Sequence, residues 1–166
     1  VIISHAHIDH IGLLPKLVKD GFSGPIYCTP QTEELGRILM LDSAKIQESD
    51  IRHINKLRDK QGRPWEEPLY TEDDVHGVLG LMTTIKYDEP YKIDSDVELL
   101  YTDCGHILGS AAVNLKIKEN GKVKRLTFSG DVGRYNDLIL RQPGVFPQAD
   151  YIILESTYGN KLHDMI

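Results

Sequence analysis

The sequence predicts a mixed α/β layered domain, and three observations carry that expectation. Short β-like runs follow one another between residues 83 and 128, which suits pairing between sequence neighbours. Segments with helical apolar spacing precede them, between residues 11 and 82. Asn120-Gly121 separates two alternating runs, and that dipeptide is the preferred turn of a two-residue type I′ hairpin. A regular parallel βαβ array would alternate strand and helix throughout.

The elements follow in order. "VIIS" (1–4) reads as a buried strand, and "IGLLPKLVKDG" (11–21) as a short helix closed by Gly21. "GPIYCT" (24–29) reads as the next strand. Pro30, Gln31 and Thr32 start a long helix, because proline is tolerated in a first turn. Its residues Leu35, Ile38, Leu39, Leu41 and Ile46 recur at roughly helical spacing and are expected on the core. From Gln47 to Arg63 polar residues dominate, which fits a solvated helix or a mobile insertion. "TEDDVHGVLGLM" (71–82) has a threonine cap and early acids, the pattern of a helix start. "TTIKYDE", "YKI", "VELLYTDCG" and the two arms of the hairpin are strand-like, and "YIILES" (151–156) reads as a last buried strand.

The bulk properties bound the class. With 166 residues and 40% hydrophobic residues, the chain is one domain or part of a larger one. It has no initiator Met and starts inside a strand-like run, so it reads as a fragment. No apolar run nears the ~20 residues needed to span a bilayer, and no basic segment leads into a long apolar stretch. The net charge of −6 argues against a surface that coats DNA or membranes. Such a balance still allows phosphate binding through metal ions, which bring their own positive charge. Two cysteines, Cys28 and Cys104, stand far apart, so reduced thiols and a cytoplasmic setting are the expectation.

The opening stretch "SHAHIDHIG" holds the chemistry. On an extended chain alternate residues share a face, so His5 and His7 can grip one ion together. If the chain then turns into a helix, Asp9 and His10 aim at a neighbouring point. Imidazole suits zinc and similar metals, and a carboxylate admits a harder site. Four ligands in six residues exceed what one open catalytic metal takes from one segment, which hints at two metals. Downstream, "DCGHILGS" sets His106 after a strand beside Gly105, and "FSGDVGR" sets Asp131 at the end of the hairpin. On spacing alone each is ambiguous: a lone His at a strand end is more often a hydrogen-bonded structural residue, and a lone Asp in "SGD" more often a turn residue.

"SHAHIDHIG" resembles the H-x-H-x-D-H signature of the metallo-β-lactamase fold, and "GHILGS" and "SGDVGR" resemble its later His and Asp motifs, in the right order. "ILESTYGN" is similar to the first motif of the β-CASP branch, the RNA- and DNA-processing nucleases. "PIYCTPQTEEL", "LDSAKIQESD" and "SGDVGRYNDLILRQP" look most like bacterial and archaeal relatives of cleavage-and-polyadenylation-type endonucleases. The resemblance implies a partial αββα sandwich over residues 1–159, lacking N-terminal strands, with residues 160–166 starting the connection into an absent β-CASP domain.

The resemblance also implies roles. His5, His7 and His106 would hold the first zinc ion, Asp9 and His10 the second, and Asp131 would bridge both. Glu155 would orient groups near the scissile phosphate. Asp9, Asp131 and Glu155 are the catalytic candidates. Ser4 stands where many members carry Thr, and either hydroxyl serves as a local hydrogen-bond partner. The implied reaction is hydrolysis of single-stranded RNA by a hydroxide that two metals activate. The family's last histidine ligand and its leaving-group acid, a later His, fall outside the chain. The isolated fragment is therefore expected to hold one zinc ion or none and to be inactive or very weak.

Two other readings stand beside this one. One is a hydrolase of a small thioester, ester or lactam on the same scaffold, against which "ESTYGN" and the long 30–70 segment argue. The other is a non-catalytic RNA-binding relative, which should have lost ligands that are all present here. Strand edges left open give a route to a homodimer. Asp103 and Ser129 are candidates to support the ligating imidazoles, with ordinary turn bonding as the alternative. His53, His76 and His163 read as solvated or surface residues, and Cys104 as a small buried strand residue. Trp65, with Pro64 and Pro68, reads as an anchor for the loop after the polar helix; base stacking is the alternative, with no second aromatic nearby to support it. Lys56, Arg58, Lys60 and Arg63 offer contacts to RNA phosphates, but the interleaved acids favour a solvated face.

Overall fold

Residues 1–157, 159 and 160 are described by a computed structural model, which divides into two units, Val1–Lys86 and Tyr87–Ile166. The expected connection into a further domain lies outside the described residues beyond Asn160, as does His163.

In the first unit the expected strand at residues 1–4 is reduced to a single parallel bridge between Ile2 and Tyr27. Ile3 N–H donates to the Tyr27 carbonyl at 2.9 Å. Pairing stops there because the chain turns at His7, the N-cap of α1 (Ile8–Ile11). The single helix expected over 11–21 is two short ones, α1 and α2 (Leu14–Lys19). Pro15 lies in the first turn of α2, where its fixed φ favours a fresh start and disfavours helix before it. Gly21 does close α2. It sits at φ +105°, with Gly21 N–H on Val18 and Phe22 N–H on Leu17, a Schellman ending.

β1 (Ile26–Cys28) is wholly buried. α3 (Pro30–Lys60) follows, with Thr29 Oγ1 accepting from Thr32 N–H at 3.2 Å. The helix runs unbroken through the polar stretch, so the 47–60 segment is helix and not an insertion. Its core stripe is Thr32, Gly36, Met40 and Ala44. This corrects the expectation for Ile38 and Ile46, which are 57% and 54% exposed, and for the exposed Leu39; Leu35 and Leu41 are half-buried. Periodicity identifies apolar residues, but the face with small side chains permits the closest approach. A Cβ at Gly36 would stand 3.3 Å from Ile11 Cδ1, so α1 rests on α3 where the side chain is missing.

α4 (Glu72–Leu81) begins with a capping box of Thr71 and Asp74, as the early acids predict. It buries Val75 and Val78 and lies against α2 and α3; Gly77 gives room to Val18. Ser43 Oγ and Tyr70 OH, 2.8 Å apart, tie α3 to the segment entering α4. β2 (Met82–Thr84) then pairs in parallel with β1, Ile26 opposite Met82.

The second unit is a five-stranded sheet in the order β3 (Tyr91–Lys92), β4 (Val97–Asp103), β5 (Ala111–Glu119), β6 (Lys122–Phe128), β7 (Tyr151–Ile153). The first four pair antiparallel, and β7 joins β6 in parallel. Asn120 and Gly121 turn the hairpin at φ +50° and +74°, the two positive values that a type I′ turn needs. Leu99, Tyr101, Ala111 and Ala112 are buried. A polar line crosses three strands: Asn114 Nδ2 donates to Thr102 Oγ1 at 3.1 Å, and Thr127 Oγ1 donates to Asn114 Oδ1 at 2.8 Å. The last strand is shorter than expected and is not buried: Tyr151, Ile152, Ile153 and Leu154 are all exposed. It lies at the edge of the sheet, paired on one side, and an apolar run alone does not distinguish edge from centre.

One half of the chain is thus a parallel pair with helices in its crossover, and the other an antiparallel meander. Together they make the expected mixed α/β class. Among the described residues no helix is long and apolar enough to cross a membrane.

Candidate metal centre

The first unit gathers three histidines at one point. His5 is fully buried, and its Nε2 stands 3.1 Å from His7 Nδ1. The two rings meet edge to face with centroids 4.8 Å apart, and the His10 ring lies 4.0 Å from that of His5. The turn of α1 produces this arrangement. His7 caps the helix in extended geometry, and its carbonyl accepts from both His10 N–H and Ile11 N–H. Ile11, buried against α3, fixes the rotation of that turn. Asp9 lies in the first helical turn, 77% exposed at its side chain, with Oδ2 3.7 Å from His10 Nε2. The structure thus brings His5 to His7 and Asp9 to His10, and it also lays the His10 ring against that of His5.

Ser4 organises the first pair. Its hydroxyl lies 3.1 Å from His5 Nδ1 and 3.4 Å from His10 Nδ1. With the Nδ1 side of His5 engaged by Ser4, Nε2 is the nitrogen turned toward His7. Ser4 is thus the local hydrogen-bond partner expected of a hydroxyl at this position, and its partners are the two imidazoles.

The second unit joins His106 to Asp131, with Nε2 and Oδ2 3.5 Å apart. The two residues follow different strands, β4 and β6, and their loops lie on each other with almost no clearance. A Cβ on Gly133 would meet the Gly105 carbonyl oxygen at 1.7 Å and His106 N at 2.7 Å. Gly133 N–H instead donates to the Cys104 carbonyl at 2.8 Å. Gly105 itself takes φ +66°, and Arg141 and Pro143 occupy the space a side chain would need. Ser110 Oγ accepts from His106 N–H and Ile107 N–H, at 3.0 and 3.2 Å, which sets the histidine's backbone. Neither Ser110 nor Gly133 was singled out from sequence; Ser110, four residues after His106, offered the plainer signal.

Cys104 is the small buried residue expected, with an added task. Its Sγ–H donates to the Asp131 carbonyl at 3.1 Å. Burial pushes the thiol's pKa up, so it stays a protonated donor. Cys28, buried in β1, is pushed up to about 12 by burial and then by the Glu33 charge. Glu155 reaches the same loop: its Oε1 accepts Val132 N–H at 2.6 Å, and its own N–H donates to Ser129 Oγ. Asp103 and Ser129 serve the turns. Asp103 Oδ1 accepts Gly105 N–H at 2.9 Å, and Ser129 Oγ donates to the Gly130 carbonyl at 2.6 Å. His53 and His76 are exposed, as expected.

Each cluster suits a divalent ion. Two ligands held by a tetrahedral ion at ~2.0–2.1 Å stand roughly 3.3–3.4 Å apart. The His5–His7 separation of 3.1 Å and the His106–Asp131 separation of 3.5 Å bracket that value. Two imidazole nitrogens this close repel unless a proton or a cation lies between them.

Residues 1–142 match the family model described as the metallo-beta-lactamase superfamily domain. The chain is 32% identical over 163 residues to Ribonuclease TTHA0252 of Thermus thermophilus, covering 98% of this chain and 32% of that protein. It is 35% identical to the Transcription termination factor FttA of Cenarchaeum symbiosum, covering 97% and 23% of the two chains. The FttA of Thermococcus kodakarensis is 38% identical, with 96% and 22% covered. The chain therefore spans a third or less of the length of these relatives. With residues 1–142 of its 166 matched, the chain belongs to the metallo-β-lactamase superfamily.

Proposed function

We propose that this chain is the metal-binding part of a zinc-dependent ribonuclease of the β-CASP type, acting in the cytoplasm on single-stranded RNA. Residues 1–159 are assigned to a partial catalytic domain, with the β-CASP domain following. His5, His7 and His106 are assigned to a first zinc ion, Asp9 and His10 to a second, and Asp131 to both. The observation that carries the reading is the 3.1 Å approach of His5 Nε2 to His7 Nδ1, at ligand spacing and supported by Ser4. The relatives' names, a ribonuclease and transcription termination factors, favour RNA as the substrate class.

Divalent ions held by these residues would supply Lewis-acid charge and would lower the pKa of water toward neutral pH. The chain's own residues supply position. Ser4 keeps His5 in one orientation, and Cys104 and Gly133 fix the backbone that carries Asp131. Glu155 ties the Asp131 loop to the segment after β7 through Oε1, and we assign it the orienting of groups near the scissile phosphate. A phosphodiester anion repels its attacker, so fixed positive charge in a rigid frame addresses the main barrier.

The test is zinc titration of the chain by calorimetry. His5→Ala combined with His7→Ala is expected to weaken zinc binding at least ~100-fold, since both are assigned as direct ligands and even supporting partners are worth ~10–100-fold. Unchanged zinc affinity in the double variant would end the reading.

A further inference from the structure

The C-terminal turns of α3 carry a feature that the metal sites do not use. The loop after the helix folds back onto it and is fastened at four points. Gly62, at φ +64°, ends the helix with Gly62 N–H on Asp59 and Arg63 N–H on Arg58. Arg58 Nε donates to the Pro64 carbonyl at 2.6 Å, and its guanidinium pairs with Glu66. Asn55 holds Glu66 from both sides, Nδ2 to its carbonyl and Oδ1 from its N–H, each 2.9 Å. Trp65 Nε1–H donates to Asp59 Oδ1 at 2.5 Å, yet the residue remains 70% exposed. The indole is therefore held by its edge while its faces meet solvent.

The charges around it are not neutral once these pairs are formed. At 100° per residue, Asn55, Arg58 and Asp59 share the side of α3 that receives the loop. Lys56 and Lys60 lie on the flank next to Asp59, where the indole is tied, and Arg63 stands two residues before Trp65. Of the acids in this region, Glu66 is paired with Arg58, Glu67 meets Lys19 at 4.0 Å, and Asp59 accepts the neutral indole N–H and keeps its charge. Lys56, Lys60 and Arg63 have no ion pair among the described residues, in a chain whose net charge is −6. One of the interleaved acids, Glu66, is thus cancelled by Arg58, and Lys56, Lys60 and Arg63 outnumber Asp59 and Glu67 around the ring.

We propose that this helix end is a stacking platform for single-stranded RNA, with Trp65 as the base-stacking face and Lys56, Lys60 and Arg63 as phosphate contacts. The proposal rests on the RNA reading above and adds a binding surface to it. An exposed, edge-anchored indole loses little freedom on stacking, and every base has a face to offer it. Cations beside it would track the backbone without reading sequence. An acidic protein segment would need the cations but not the flat ring, and a duplex hides the faces of its bases.

Trp65 is the only tryptophan of the chain, so its fluorescence reports the platform alone. The 166-residue chain is titrated in EDTA with a labelled single-stranded RNA 12-mer, following indole quenching and anisotropy together. Omitting metal separates this test from the ribonuclease reading: cleavage by the longer protein can fail while binding persists, and the reverse. Saturable quenching is expected, and Trp65→Ala should raise Kd roughly 5- to 150-fold, the range for one stacked base. Trp65→Phe keeps a ring and should recover much of the affinity, which a mere folding defect in Trp65→Ala would not predict. Replacing Lys56, Lys60 and Arg63 by Ala should flatten the salt dependence, log K against log[salt], by about 2. The proposal is overturned by binding without quenching, by no binding, or by equal affinity of Trp65→Ala. An equal response to duplex RNA or to poly-glutamate also overturns it, the latter in favour of an acidic protein partner.

Discussion

The two candidate ligand clusters of this chain are built in opposite ways. His5, His7, Asp9 and His10 come from six consecutive residues, and one helical turn is enough to group them. His106 and Asp131 come from two loops that follow different strands, and they meet only because Cys104, Gly105 and Gly133 let those loops lie against each other. A contiguous cluster tolerates a change in the surrounding fold as long as its turn survives. A cluster built from two loops is only as good as the clearance between them.

The sharpest way to break this difference is Gly133→Ala. Its Cβ would fall 1.7 Å from a carbonyl oxygen, so the loops must separate. We expect a loss of more than about 4 kcal/mol, in the range that single substitutions seldom reach, read as a fall in Tm or as failure to fold. A Tm within a degree of the parent would show that the loops are not in close contact.

A second experiment stresses the first unit without touching a ligand. The Cys28 thiol is raised from 9.0 to about 12 when folded, so in the unfolded chain it ionises first. Its contribution is whole below pH 9 and falls as pH rises from 9 to 12, by at most ~1.4 kcal/mol per unit. Urea unfolding followed by Trp65 emission should show this alkaline decline, and Cys28→Ala should make it shallower. The same slope in both proteins would refute the assignment.

The smallest effect is expected at Ser4, which supports the contiguous cluster from outside. Ser4→Ala should weaken zinc binding ~10-fold, the low end for a partner that orients a ligating histidine, and leave Tm nearly unchanged. Affinity unchanged within twofold would mean that the turn of α1 alone sets His5.

The legible parts of the sequence were the local ones. Thr71 with Asp74, Asn120-Gly121, Gly21 and the opening histidines each act within a few residues, so their consequences follow from backbone chemistry. What escaped were choices made by distant neighbours. The core face of α3 runs through Gly36 and Ala44 because α1 comes close there, and nothing in the helix's own periodicity says so. The exposure of Tyr151 to Leu154 follows from edge position, which an apolar run does not encode. Gly133 is an unremarkable glycine until the Gly105 carbonyl is placed opposite it.

Asn114 has a consequence for alignment. His106 comes three residues after β4 ends and Asp131 three after β6 ends, and both strands are referenced to β5. Sliding β6 by one side-chain repeat would shift Asp131 by ~7 Å along the strand, well out of reach of His106. The amide of Asn114, joined to Thr102 on one neighbour and Thr127 on the other, penalises that slip on both sides. A carboxamide in the middle of the sheet thus acts as a gauge for two side chains beyond its ends.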